Sequence, residues 1–297
     1  MTWDPTRLPD QTGRTFVVTG ATAGIGYFAA EQLAAAGAHV VLASRSAAKL
    51  AVAEEAIRGQ VPGARTSSVV IDLASLESVE EAASAMPAFD GILLNGGAMA
   101  FGRTTTADGL PMLLGTHVVA NTALIAALLP TLSDARIVHT STGFVSRFPQ
   151  RVDDLLHEPR IGVLAYTKAK TATEVFAFEL DRRLRAAGSS VASIVTRPGV
   201  GVDAKTPTRP GIRDSTTAYQ RNPYTPWAQG KDTAAWSAVR ALTDPAAQSG
   251  EYYGPAGGIR GLPVRVPLFA PTATPEGDLA TRVWDQLEAL AGVRVAA

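Results

Sequence analysis

The chain has 297 residues, 27 basic and 27 acidic side chains, and no cysteine. The balanced charge gives no basic face for nucleic acid, and the lack of cysteine excludes disulfides, thiolate nucleophiles and cysteine-ligated zinc. Both features are compatible with a reducing compartment, and we expect a cytoplasmic protein. The four histidines lack metal-ligand spacing, so we expect no metal site. Residues 1–13 are polar and the chain lacks an uninterrupted apolar run of membrane-spanning length, so we expect no membrane span.

The first predicted elements are a strand over residues 15–18, a glycine-rich turn and a helix over residues 27–36. The turn reads Thr19-Gly20-Ala21-Thr22-Ala23-Gly24-Ile25-Gly26. Glycines permit a tight turn and a close approach to phosphate, and the amides at the helix start face that anion. We therefore expect the turn to bind a dinucleotide, although a glycine cluster alone also fits an ordinary turn. The expected contacts are Gly20, Thr22, Gly24, Ile25 and Gly26.

The second predicted strand, residues 39–43, ends in Ser44-Arg45. In a βαβ unit the end of this strand contacts the adenosine ribose. An acidic residue there favours NAD, whereas an arginine accommodates the 2′-phosphate of NADP. Because the chain has Ser44 and Arg45 and no acid, the sequence predicts NADP(H). The alternative is that Arg45 is a solvated loop residue.

Further strands are predicted over residues 66–71, 91–94, 136–140 and 190–196, with helix-forming segments between them. This alternation predicts an α/β protein, a doubly wound Rossmann parallel sheet, with residues 1–297 forming a single domain. Ligands bind such sheets at the carboxyl ends of the strands. Residues 205–231 are rich in Pro, Arg, Thr and aromatics and predict a long excursion over the cofactor cleft, a candidate substrate lid.

Tyr166 and Lys170 are four residues apart on a predicted helix and share one face. A free tyrosine has a pKa of about 10, and a nearby ammonium is expected to lower that pKa. Such a tyrosine can protonate a carbonyl oxygen as hydride arrives, or deprotonate an alcohol as hydride leaves. A tyrosine and a lysine four residues apart are common on helices. The interpretation of this pair as an acid/base site is stronger because the pair lies between the glycine turn and Pro198-Gly199 in the sequence.

Together, the glycine turn and the Tyr166–Lys170 pair resemble the short-chain dehydrogenase/reductase family across nearly the whole chain. The segment from Val152-Asp153-Asp154-Leu155 to Tyr166, and Glu251-Tyr252-Tyr253-Gly254-Pro255, resemble its retinol-dehydrogenase-like branch. The resemblance implies an NADP(H)-dependent oxidoreductase that acts on a small-molecule secondary alcohol or ketone. Tyr166 is then the acid/base, and Lys170 tunes it and orients the ribose. The resemblance also implies a homodimer or homotetramer.

The same resemblance assigns further site residues. The substrate oxygen would be held by Thr142, with Ser141 in reserve, although either hydroxyl also fits a cap of the strand end. Further cofactor contacts would be Asp72, Leu73, Asn95, Gly96, Gly97, Pro198 and Gly199. Asp72 alternatively caps the helix that follows it.

Two positions depart from the family pattern. His117 stands where the family has asparagine, with Asn121 one turn later, and is either a substitute in the proton relay or a buried core histidine. Asp203 stands where a threonine usually follows Pro-Gly, with Thr206 further on. These departures keep two alternatives open: a non-catalytic NADPH-binding sensor, and an epimerase or dehydratase that uses transient oxidation.

Aromatic residues near the expected cleft predict an apolar pocket for a hydrophobic or cyclic carbonyl compound. They are Phe144, Phe148, Tyr219, Tyr224 and Trp227. Packing within the lid is the alternative for these side chains.

Overall fold

The computed structural model describes residues 3–99, 102 and 104–297, and these residues contain one eight-stranded sheet of order β3-β2-β1-β4-β5-β6-β7-β8. The strands are β1 Thr15–Thr19, β2 His39–Ser44, β3 Arg65–Val70, β4 Gly91–Leu94, β5 Arg136–Thr140, β6 Ala192–Thr196, β7 Tyr252–Pro255 and β8 Pro263–Arg265. Strands β1 to β7 are parallel, and β8 is antiparallel to β7. The predicted doubly wound Rossmann sheet is confirmed.

Helices connect the parallel strands and cover both faces of the sheet. They are α1 Gly24–Ala35, α2 Ala47–Gln60, α3 Leu76–Ala85, α4 Met112–Leu114, α5 Ala120–Leu128, α6 Phe144–Arg147, α7 Gly162–Ala186, α8 Lys231–Ala234, α9 Trp236–Thr243, α10 Ala270–Ala273 and α11 Leu279–Ala291. A π-helical turn, Gly115–Val119, joins α4 to α5. Helix α1 ends as the sequence predicts, because Gly37 follows it with a φ of +93°.

The alternating side chains of each central strand enter two different cores. In β1, Phe16 and Val18 pack with residues of α1, α2 and α9, whereas Val17 packs with residues of α3, α5, α7 and α11. A parallel sheet with both faces covered requires strands that are apolar at successive positions. The apolar runs that predicted the strands are therefore a direct consequence of this layering.

The C-terminal part of the sheet was not predicted from the sequence. Strands β7 and β8 have four and three residues, and both contain proline, which breaks the apolar runs that mark the central strands. Proline is tolerated here because Pro255 pairs with Pro263 at the outer edge of the sheet. Helix α11 was also missed. It packs across α5 and α7, where Trp284 stacks on Phe176 with ring centroids 5.0 Å apart.

The segment Met112–Thr131 has a mean hydropathy of 1.8 and meets the length and composition expected of a membrane-spanning helix. The sequence did not predict a membrane span in this segment, because polar residues interrupt its apolar run. In the fold, 89% of its apolar window is buried between α3, α7 and α11. Core helices of this kind pass the same composition test, so the segment is weak support for a membrane span.

We expect Trp284→Ala to lower the free energy of unfolding by about 3–5 kcal/mol, because it leaves a large cavity beneath α11. Trp284 is 1% exposed, and the guanidinium of Arg183 lies 4.1 Å from its ring centroid. Urea unfolding would measure the loss. The matched control is Trp227→Ala: Trp227 is 59% exposed, and its removal should change stability by less than about 0.5 kcal/mol. Equal effects of the two substitutions would contradict this description of the core.

Candidate active site

The glycine turn between β1 and α1 lies against the carboxyl end of β4. Gly20 and Gly24 have φ angles of +69° and +58°, which favour glycine. A Cβ on Gly20 would lie 2.9 Å from the Cα of Gly96, and a Cβ on Gly26 would overlap the carbonyl of Gly20. The close approach of these backbones therefore requires glycine.

Helix α1 begins at this turn without a side-chain cap. Its N-cap residue is Ala23, so no side chain accepts a hydrogen bond from the first backbone amides. These amides, among them that of Ile25, face the open side of the turn and carry the positive end of the helix dipole. The hydroxyl of Thr22 lies 3.3 Å from that of Ser44, which ties the turn to the end of β2. The site fits the diphosphate of a dinucleotide.

The cationic side chain at the end of β2, that of Arg45, is accessible to a ligand. Arg45 follows Ser44 directly and is exposed. Its guanidinium has no hydrogen-bond or ion-pair partner among residues 3–99, 102 and 104–297. The structure thus places Arg45 at the strand end where the sequence analysis expects the ribose.

Asp72 does not cap helix α3. Its carboxylate accepts a hydrogen bond from the amide of Ala74 at 2.9 Å. The capping residue is Ser75, whose hydroxyl accepts from the amide of Ser78. The alternative role of Asp72 as a helix cap is therefore wrong, and its carboxylate instead shapes the turn after β3.

Asn95 connects β4 to β1. Its side-chain amide donates to the carbonyl of Thr19 at 3.2 Å, and the hydroxyl of Thr19 accepts from the amides of Asn95 and Gly96 at 3.0 and 2.9 Å. A Cβ on Gly96 would lie 2.8 Å from the side chain of Leu73. The strand ends are thus held together with glycine backbone facing the cleft.

Ser141 and Thr142 face different parts of the protein. Ser141 is 1% exposed and donates to a carboxylate oxygen of Glu174 at 2.5 Å. The same carboxylate accepts from the hydroxyls of Tyr252 and Thr272 at 2.8 and 2.7 Å. Burial raises the pKa of Glu174, and these three hydroxyls partly offset that effect. Ser141 is committed to this buried cluster.

Thr142 is the hydroxyl that remains available to the cleft. It is only partly buried, and its oxygen accepts one long hydrogen bond, 3.3 Å, from the amide of Phe144. Between the two hydroxyls considered from the sequence, the geometry favours Thr142. Glu174 was not predicted from the sequence, although its position four residues after Lys170 places it on the same helix face.

Tyr166 and Lys170 share one face of α7, as the spacing predicted, but the expected pKa effect is absent. Burial raises the pKa of Tyr166 to about 12. The ammonium of Lys170 lies 5.9 Å from the ring centroid of Tyr166 and donates to the carbonyl of Thr140 at 2.6 Å. Burial lowers the pKa of Lys170 to about 7, against the opposing charge of Glu174. In the free protein desolvation sets the direction of the shift, so the expected net lowering of the pKa of Tyr166 is not found.

His117 lies beside Tyr166, with ring centroids 5.4 Å apart at an angle of 80°. Its Nε2 lies 2.9 Å from the carbonyl of Ala98, which only accepts, so Nε2 carries the proton. Its Nδ1 is then a buried acceptor without a partner among the described residues. Burial and the nearby Lys170 lower the pKa of His117 to about 3, so the ring is neutral at pH 7. A Cβ on Gly97 would overlap this ring.

Asn121 does not take over the role of the family's asparagine. Its side-chain amide donates to the carbonyl of His117 at 2.9 Å, and its Oδ1 has no partner among the described residues. His117 lies in the π-helical turn, and this widened turn sets the position of its ring. His117 is thus a buried neutral histidine in contact with Tyr166.

The Pro198-Gly199 segment is fixed from the excursion and from the loop between β7 and β8. Gln229 donates to the carbonyl of Pro198 at 2.8 Å and accepts from the amide of Gly261 at 3.1 Å. Gly199 has a φ of +70°, and a Cβ there would overlap the carbonyl of Ile259. The sequence offered no signal for Gln229, because its partners lie about thirty residues away on both sides.

The excursion over residues 205–231 lies against α1 and faces the glycine turn. Arg209 forms two hydrogen bonds with the carboxylate of Glu31 on α1, at 2.6 and 2.8 Å. A cavity of about 570 Å³ separates the excursion from the glycine turn. It is lined by Thr22, Ala23, Gly24, Phe28, Lys49, Val52, Asp203, Thr206, Gly211, Ile212, Arg213, Thr216, Thr217, Ala218, Gln220 and Lys231. Tyr166 is not among these residues.

The aromatic residues expected to line an apolar pocket are largely exposed on the excursion. Tyr219, Tyr224 and Trp227 are 52%, 50% and 59% exposed, and the guanidinium of Arg213 lies 5.2 Å from the ring centroid of Tyr219. Phe144 and Phe148 contact each other, with ring centroids 5.8 Å apart. The sequence could not separate these cases, because aromatic residues mark both cores and surface loops.

Comparisons with known proteins agree with this fold. The family model for short chain dehydrogenase matches residues 14–209. Human retinol dehydrogenase 13 is 33% identical, with 63% of this chain and 59% of that protein covered. A Streptomyces protein proposed to be the daunorubicin C-13 ketoreductase DnrU is 31% identical, with 94% and 93% covered. The crystal structure of an uncharacterised Mycobacterium paratuberculosis protein superimposes with a TM-score of 0.81, at 28% identity and full coverage of both chains.

The extent of the matches differs among the relatives. The chain spans 56% to 62% of the length of four of them, which include human retinol dehydrogenase 13 and a fungal short chain dehydrogenase/reductase. The match to the Streptomyces protein, by contrast, extends over nearly the whole of both chains.

The buried ammonium of Lys170 should make stability depend on pH. Its folded pKa of about 7 lies below the ordinary value of 10.5, so the unfolded chain binds more protons between these pH values. The free energy of unfolding should therefore rise from pH 7 to pH 9, by about 2 kcal/mol more in the wild type than in Lys170→Met. Urea unfolding at both pH values measures this difference. The exposed control Lys49→Met should follow the wild type; equal pH dependence in all three proteins would contradict burial of the charge.

Proposed function

The chain belongs to the short-chain dehydrogenase family, and from this premise we propose that it is an NADP(H)-dependent oxidoreductase that interconverts a ketone and a secondary alcohol. The observation that carries the proposal is the position of Tyr166 and Lys170 on one face of α7, beside the end of β5. Lys170 is held by the carbonyl of Thr140, two residues before Thr142. This contact brings the helix pair to the end of β5, at the edge of the sheet where α/β proteins bind ligands.

In this proposal Tyr166 is the general acid of ketone reduction. Its pKa of about 12 keeps the hydroxyl protonated at neutral pH, so a proton is available for the carbonyl oxygen. Lys170 lies 5.9 Å from the ring and stabilises the phenolate that remains. Thr142 offers a hydroxyl to the same substrate oxygen. The reduced nicotinamide, when bound, supplies the hydride, and alcohol oxidation is the reverse reaction.

His117 has a positioning role beside the acid. Its neutral ring packs edge to face against Tyr166, while its Nε2 proton is used by the carbonyl of Ala98. With a pKa of about 3 it cannot carry a proton as an imidazolium at neutral pH. It therefore restricts the orientation of the tyrosine ring rather than acting as a charged relay.

The preference for NADP(H) is proposed from the residues at the end of β2. Ser44 and Arg45 leave no carboxylate that would repel a 2′-phosphate, and the exposed guanidinium of Arg45 has no competing partner among the described residues. Lys49 lines the adjoining cavity and adds a second cation at this end of the cleft. The other proposed cofactor contacts are those predicted from the sequence.

We propose a hydrophobic or cyclic carbonyl compound as substrate. Apolar side chains stand exposed on the segments around the start of α7 and the end of β5: Phe148 is 41%, Ile161 60% and Val163 44% exposed. An apolar rim of this kind favours an apolar ligand. The names of two relatives, a retinol dehydrogenase and a proposed daunorubicin ketoreductase, support an alcohol or ketone of that type.

The two alternatives from the sequence, a sensor and an enzyme of transient oxidation, are less favoured. A sensor does not require the Tyr166–Lys170 pair, and His117 does not obstruct that pair. An enzyme that uses transient oxidation would keep its cofactor bound through purification. Absorbance of the purified protein near the nicotinamide band would reveal that cofactor. The predicted role of the excursion as a lid is kept only for the phosphate end of the cleft, because that is the end it covers.

We expect Tyr166→Phe to lower kcat by about 10²- to 10⁴-fold on an apolar ketone substrate, because the proton donor is lost. Steady-state consumption of NADPH measures the loss. The matched control is Tyr253→Phe, which removes a hydroxyl bonded to Glu251 at the sheet edge and should keep full activity. A Tyr166→Phe enzyme with wild-type kcat would rule out this mechanism.

We expect Arg45→Ala to weaken NADPH binding by about tenfold or more and to leave NADH binding nearly unchanged, because only NADPH carries the 2′-phosphate. Calorimetric titration of both cofactors measures the two dissociation constants. Arg58→Ala, at the far end of α2, is the control and should not discriminate between them. A wild-type preference for NADH would refute the role of Arg45 and leave the chemistry of Tyr166 unaffected.

A further inference from the structure

A buried ion pair faces the glycine turn across the cavity described above. The ammonium of Lys231, the first residue of α8, lies 2.6 Å from a carboxylate oxygen of Asp203. The side chain of Asp203 is 4% exposed and that of Lys231 is 25% exposed. Asp203 is therefore enclosed, while Lys231 retains access to the cavity.

The stem of Lys231 runs beside the start of α1. A Cβ on Gly24 would lie 3.7 Å from the Cδ of Lys231, so the lysine passes close to the uncapped end of this helix. An ammonium has three donors, and Asp203 uses one of them. Its other donors have no hydrogen-bond partner among the described residues. The same space thus holds free backbone amides on one side and free ammonium protons on the other.

Asp203 is an unusual neighbour for a phosphate site, because a bare carboxylate would repel the diphosphate. Burial opposes its ionisation, but the hydrogen bond and charge of Lys231 hold the pKa of Asp203 below its ordinary value. The carboxylate also accepts from the amide of Gln220 at 2.9 Å, and its backbone carbonyl accepts from Arg213 at 3.2 Å. Asp203 is thereby fixed in place and in turn fixes the position of Lys231.

We propose that Lys231 binds the diphosphate of the cofactor from the excursion side, and that Asp203 is the positioning residue that aims it. Lys231 provides a side-chain cation close to the backbone amides at the start of α1. The carboxylate sets the lysine rotamer before the ligand arrives, which reduces the ordering cost of binding. The excursion then contributes directly to cofactor affinity, in addition to covering the cleft.

This inference rests on the proposed cofactor site, and the two are tested separately by one set of titrations. Calorimetry measures the dissociation constants of NADPH and NADH for the full-length wild type, Lys231→Met, Asp203→Asn and the double variant. The control is Lys205→Met, in which the lost ammonium donates to the carbonyl of Ala228 within the excursion and does not line the cavity. Thermal unfolding of each ligand-free variant reports its folding.

Lys231→Met should weaken both cofactors by similar factors, about ten- to a hundredfold, because both carry the diphosphate. Asp203→Asn should weaken both cofactors less than Lys231→Met does, by about two- to fivefold, because the lysine remains but is no longer held in place by the carboxylate. The double variant should remain at least about fivefold weaker than Asp203→Asn, because the cation itself is missing. Lys205→Met should bind like the wild type.

Equal affinities of the double variant and Asp203→Asn would overturn the proposal, because Lys231 would then only neutralise the carboxylate. A loss confined to NADPH would overturn it as well, since that result assigns Lys231 to the 2′-phosphate. If Lys231→Met does not fold, the charge-balanced double variant and Asp203→Asn still decide the outcome. A wild type that binds neither cofactor would refute the proposed function itself.

Discussion

The cleft depends on one steric constraint, the contact between the backbone of the glycine turn and that of the residues after β4. Gly20 approaches Gly96 so closely that a Cβ does not fit, and Gly26 approaches the carbonyl of Gly20 in the same way. The side chains of Thr19 and Asn95 then fasten this contact with hydrogen bonds. Because α1 begins here without a cap, the same constraint leaves free amides at the mouth of the cleft.

A second constraint lies beneath the Tyr166–Lys170 pair. The buried carboxylate of Glu174 is stabilised by hydroxyls from Ser141 after β5, from β7 and from α10, three parts of the chain that are distant in sequence. A buried charge without such partners would be strongly destabilising. The cluster therefore joins the C-terminal region to the floor of the site. It also explains why Ser141 is unavailable to a substrate while its neighbour Thr142 is available.

Desolvation governs the electrostatics of this site more than pairwise charge does. From the sequence, Lys170 is expected to lower the pKa of Tyr166, because the two residues share a helix face. Burial instead raises the pKa of the tyrosine and lowers those of Lys170 and His117. Near the glycine turn, Asp203 is buried against the half-buried Lys231, and the attraction between them opposes the same penalty for Asp203. Spacing along a helix says nothing about how much water each group retains.

The sequence by itself determined the parallel sheet, the glycine turn and the Tyr166–Lys170 pair, because each follows from a local pattern. These patterns are runs of apolar residues, glycines clustered in a turn, and a spacing of four residues along a helix. Only the tertiary structure decided that Thr142 rather than Ser141 faces the cleft, that Ser75 caps α3, and that the excursion meets the phosphate end. It alone brought Glu174, Gln229 and Lys231 to their partners. Each of these outcomes depends on contacts between residues far apart in the chain, which local sequence patterns do not encode.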